Sequence, residues 1–121
     1  LVNRLIYRWV SEEAAQLAYP REGFLFIGLA RLTLLLPGNH SLKGKRQISR
    51  ALTERLRARF HVAVAEVDSN DIHQRLVIGL AYVSNRYGHA SEVIDAALRF
   101  IESSHFDIQL IDISREVIDG P

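Results

Sequence analysis

The densest concentration of chemistry-bearing side chains lies between His40 and Phe60. There Lys43, Lys45, Arg46, Arg50, Arg55, Arg57 and Arg59 face a single acidic residue, Glu54. Seven basic groups against one acidic give this stretch +6, while the remainder, eight against thirteen, carries −5. A formal net charge of +1 over 121 residues therefore conceals a strong separation of charge. At about 100° per residue, Lys43, Arg46, Arg50 and Arg57 fall within about 60° of one another, away from the apolar stripe of the same helix. Such a ridge suits a phosphate backbone, because each Lys or Arg that neutralises a phosphate releases a condensed counterion. Lys45 joins the set at the helix start. There Ser41-Leu42-Lys43-Gly44-Lys45-Arg46 offers an anion unpaired backbone N–H groups and the positive end of the helix dipole. Two other readings stand beside this one: a solvated helix face, and a surface for an acidic protein. Only Phe60 accompanies the ridge, and the strands carry no paired exposed aromatics of the kind that stack unpaired bases. Structured RNA held through its phosphates is thus preferred over sequence-specific reading of a single strand. Lys43, Lys45, Arg46, Arg50 and Arg57 are the nucleic-acid-binding candidates.

Other reactive types are scattered. Glu66, Asp68, Asp71 and His73 gather around one turn and together resemble a divalent-cation set. Glu66 and Asp68 should share a strand face, but a turn rich in Asp and Asn for backbone reasons is the simpler account, and no metal is expected. His40, His61, His73, His89 and His105 show no HExxH spacing. Ser41, Ser49 and Ser84 lack a Gly-x-Ser-x-Gly elbow. The absence of cysteine excludes disulfides, thiolate metal sites and a cysteine nucleophile. An acylphosphatase-type site would need an Arg in the loop after the first strand and an Asn within a strand. The loop Pro37-Gly38-Asn39-His40-Ser41 has no Arg, and no expected strand contains Asn. The expectation is a chain that is not an enzyme and needs no cofactor.

The elements that must position these residues follow from periodicity. Phe24–Leu36 reads as a first strand ended by Pro37-Gly38-Asn39. Ser41–Phe60 reads as a helix, with Ile48, Ala51, Leu52, Leu56 and Phe60 on one stripe and Ser41 as N-cap. Val62–Asp68 and Arg75–Val83 read as strands flanking the Asp68-Ser69-Asn70-Asp71 turn. Tyr87–Ser103 reads as a second helix capped by Ser84 or Asn85. Ile108–Ile118 reads as a last strand whose change of parity near Ile108 and Leu110 signals a bulge or burial on both faces. The order β-α-β-β-α-β predicts an α+β, ferredoxin-like fold: two helices on one face of a four-stranded antiparallel sheet. Both parities of the first strand are apolar, so the uncovered face also seeks burial, through a homodimer or through an N-terminal helix.

Residues 1–23 read as an extension with Leu5, Ile6, Trp9, Val10, Ala14 and Leu17 at helical spacing, and residues 24–121 as the domain proper. With no methionine anywhere, Leu1 is not an initiator as written, and a processed, truncated or non-AUG start is expected. No stretch approaches the roughly 20 apolar residues of a membrane span, and no signal-peptide pattern appears. A cytoplasmic protein is expected, without a membrane partner.

Leu34-Leu35-Leu36-Pro37-Gly38 followed by Ser41-Leu42-Lys43-Gly44-Lys45-Arg46 resembles the opening of the DUF503, or YlxP-like, family. The resemblance continues through Val64-Ala65-Glu66-Val67-Asp68, Gln74-Arg75 and Val83-Ser84-Asn85, and the extension falls outside it. It implies a ferredoxin-like α+β domain. Bacterial members tend to be encoded near genes of translation initiation and ribosome maturation, which implies RNA or a ribosomal particle as partner.

Overall fold

A computed structural model describes residues 25–68, 71–104 and 106–120. The N-terminal extension, and the helix expected within it, lie outside the described residues.

Strand β1 (Phe26–Leu35) occupies a central position because it is apolar on both parities. Ala30, Leu32, Leu34 and Leu36 are buried towards the helices. Helix α1 (Leu42–Phe60), β2 (Ala63–Asp68), β3 (Arg75–Ser84), α2 (Tyr87–Glu102) and β4 (Gln109–Asp119) complete the order β-α-β-β-α-β. The sheet runs β2-β3-β1-β4, every neighbour antiparallel. Each half is thus a split βαβ unit with a strand of the other half inserted, the ferredoxin-like arrangement. Leu52 and Leu56 of α1 and Ile94, Ala97, Leu98 and Ile101 of α2 close the core over Leu76, Ile78 and Leu80 of β3.

Local chemistry sets the helix ends. The Ser41 hydroxyl accepts from the Gly44 N–H at 2.9 Å, as expected of an N-cap. Gly44 lets Asn39 pack close there, since a Cβ would displace the Asn39 side-chain oxygen. At the far end His61 adopts φ 57°, and its N–H closes on the Arg57 carbonyl at 3.0 Å. Helix α2 differs from expectation. Its N-cap position is Arg86, with no side-chain cap, because the Ser84 hydroxyl accepts from the Arg86 N–H at 3.1 Å instead of reaching into the helix. The anticipated irregularity in β4 is a bulge: Thr33 pairs with Asp112 but Leu34 with Leu110, so Ile111 is the extra residue and stands 53% exposed.

The opposite sheet face is only partly covered by the described residues. Thr33 and Val77 are buried on it, whereas Val67, Val83 and Ile118 are exposed. A groove of about 670 Å³ runs across it, floored by Leu29, Ala63, Ala65, Gly79 and Ala81.

Candidate nucleic-acid interface

The seven basic residues of α1 do not act as one surface. Lys43, Arg46 and Arg50 are exposed and form no ion pair among the described residues. Arg57, on the same side of the helix, is exposed and donates from Nη2 to the Val64 carbonyl of the edge strand β2 at 2.8 Å. This ties the ridge to the β2 side of the fold.

Lys45 is different. It is 2% exposed, its Nζ lies 2.9 Å from Glu66 Oε2, and it donates to the Ile72 carbonyl at 2.9 Å. The structure therefore places Lys45 inside, not among the anion-facing cations. The reason was present in the spacing: residue 45 precedes Ile48, Leu52 and Leu56 by three, seven and eleven positions, which puts it on the apolar stripe. An ammonium on that stripe is tolerable because a carboxylate and a carbonyl meet it.

Arg55 and Arg59 leave the helix on the α2 side. The Arg55 guanidinium carbon sits 5.0 Å from the centre of the Phe106 ring. That of Arg59 sits 5.7 Å from Phe60 and 5.4 Å from Phe100. Phe60 and Phe100 meet edge to face at 5.6 Å. Aromatic residues thus accompany the basic helix after all. Phe100 and Phe106 come from a different part of the chain, and α1 itself carries only Phe60. Beside them Arg59, Phe60, Ala96, Arg99, Phe100 and Ser103 line a notch of about 300 Å³.

The residues around the β2–β3 turn do not converge. Glu66 pairs with Ile78 and points to Lys45, whereas a register shift pairs Asp68 with Val77 and turns it to the other face, 3.1 Å from Arg31 Nη2. The expectation that Glu66 and Asp68 share a face fails because one extra residue inverts the alternation. His73 contributes its carbonyl to Asn39 Nδ2, and His89 Nε2 lies 3.1 Å from the Tyr82 hydroxyl. Among the described residues no group of three or more His, Asp or Glu could hold a metal ion. Nor is any helix among them long and apolar enough to cross a membrane.

Residues 27–115 match a family model described as a protein of unknown function, DUF503. The chain belongs to the DUF503 family. It is similar to the uncharacterized protein YlxP of Bacillus subtilis (strain 168), with 30% identity over 77 residues, 64% of this chain and 84% of that one. The stretches that carry the DUF503 resemblance meet in space. Ser41-Leu42-Lys43-Gly44-Lys45-Arg46 supplies the N-cap, the close Gly44 turn and the buried ammonium, and Val64-Ala65-Glu66-Val67-Asp68 supplies its carboxylate. Part of what reads as a functional signature is therefore packing that holds α1 against β2.

Proposed function

We propose that this chain binds RNA, free or within a ribosomal particle, through Lys43, Arg46, Arg50 and Arg57 on the outward side of α1, without catalysing a reaction. One observation carries the reading: the +6 stretch retains an exposed row of cations that form no ion pair among the described residues, even after Lys45 is withdrawn into its pair with Glu66. A surface of that kind gains affinity from counterion release, and its binding must weaken steeply with salt. Sedimentation of the purified chain through ribosome fractions at two salt concentrations tests association and its electrostatic origin together. Co-sedimentation at low salt that is lost at high salt is the expected result. Failure to bind rRNA or ribosomes at low salt overturns the reading.

A second reading rests on the opposite face. The groove of about 670 Å³ and the exposed Val67, Val83 and Ile118 support a homodimer built through the sheet, in a module that binds no nucleic acid. Sedimentation equilibrium of the wild type and of Val83→Arg distinguishes it, since only a dimer through this face would dissociate on substitution.

A further inference from the structure

Three guanidiniums and three phenyl rings gather where α1 and α2 meet, on residues that the ridge does not use. Arg55 lies over Phe106, and Arg59 over Phe60 and Phe100. Arg99 lines the same notch as Arg59 and, like it, makes no ion pair among the described residues. Among the described residues, no acidic side chain lines that notch. We propose that it is a nucleotide subsite in which Arg59 and Arg99 clamp one backbone phosphate of an unpaired RNA segment and the Phe60–Phe100 pair receives the adjoining base. The proposal rests on the RNA reading and extends it from duplex phosphates on the ridge to an unpaired nucleotide beside it.

The chemistry of the lining residues supports the assignment. A guanidinium presents several N–H donors in a plane that matches two phosphate oxygens, and it remains charged at any physiological pH. The Phe60 and Phe100 rings that Arg59 covers have the flat, half-buried character on which unpaired bases stack, so the exposed guanidinium swings off them as it takes the phosphate. The notch, at about 300 Å³, is near the lower limit of small-ligand sites and suits one nucleotide step rather than a helix. Arg59 and Arg99 both occupy last helical turns, where a cation also answers the negative helix end. Each end carries only about half a unit of charge, so two full guanidinium charges outweigh both and leave the notch cationic.

The test uses the full chain labelled with 15N and titrated with a 5′-phosphorylated tetraribonucleotide, while binding of a structured rRNA fragment is measured in parallel. The Arg59 and Arg99 side-chain N–H resonances and the backbone amides of residues 96–103 should shift. The double substitution Arg59→Gln, Arg99→Gln should weaken tetranucleotide binding at least about tenfold. Arg59→Lys with Arg99→Lys retains the charge at both helix ends but loses the planar donors, so weakened binding at an unchanged melting temperature would separate clamping from helix stabilisation. If the tetranucleotide shifts only ridge resonances, the subsite is wrong and the RNA reading survives. If neither the tetranucleotide nor the rRNA fragment binds, both are wrong.

Discussion

Lys45 Nζ of α1 lies 2.9 Å from Glu66 Oε2 of β2, with the lysine side chain 2% exposed and the glutamate 22%. The pair is asymmetric. Removing the carboxylate takes the counter-charge from an ammonium kept from water, whereas removing the ammonium leaves a carboxylate that is buried at Oε2 but 22% exposed over its side chain. Loss of one partner of a buried pair typically costs about 3–5 kcal/mol, and replacement of both by apolar groups is often near neutral. Glu66→Ala should therefore lower the unfolding free energy by about 3 kcal/mol, Lys45→Met by less, and Lys45→Met with Glu66→Leu least of all. Urea denaturation of the three variants checks this order.

The separation of Lys45 from the ridge makes a distinct prediction for binding. Replacing Lys43, Arg46 and Arg50 together by Gln should reduce the slope of log K against log salt for rRNA by up to about three, roughly one for each phosphate that is no longer neutralised. Lys45→Met should leave that slope unchanged, as its charge is occupied inside. A salt titration of each variant decides between the two.

His61 holds φ 57° at the C-cap of α1, where a side chain bearing Cβ crowds the following carbonyl. His61→Gly should raise stability by up to about 1 kcal/mol, the relief of that crowding less the added freedom of glycine in the unfolded chain. A higher urea midpoint at unchanged slope is the expected observation.

Helix α2 rests directly on β1 at Gly28. A methyl group there would lie 2.7 Å from Ile94 Cγ1 and 3.0 Å from the Ala90 carbonyl oxygen. The side chain of Ile94 can turn, but the helix backbone cannot yield without moving α2. Gly28→Ala should cost about 1–3 kcal/mol, the range of overpacked cores. Calorimetry of the variant measures it, and a neutral result would mean that α2 shifts freely on the sheet.

Much of the fold is written in local pattern. The stripe of Ile48, Leu52 and Leu56, the N-cap at Ser41, the β-α-β-β-α-β order and the parity change near Leu110 each depend on neighbours within a few residues, so they are legible before any coordinate is known. The charge of the stretch from His40 to Phe60 is legible for the same reason. Direction is less so. Lys45 could have been assigned by its spacing to Leu52, but only the approach of Glu66, twenty-one positions on, explains how an ammonium can be buried there. Tertiary structure alone decided that a bulge turns Asp68 towards Arg31 and away from Glu66. It alone brought Phe100 and Phe106 under Arg59 and Arg55. A helix pattern tells which side chains share a face, because that is geometry within one element. What the face meets is set by packing between elements far apart in the chain, and no local period encodes it.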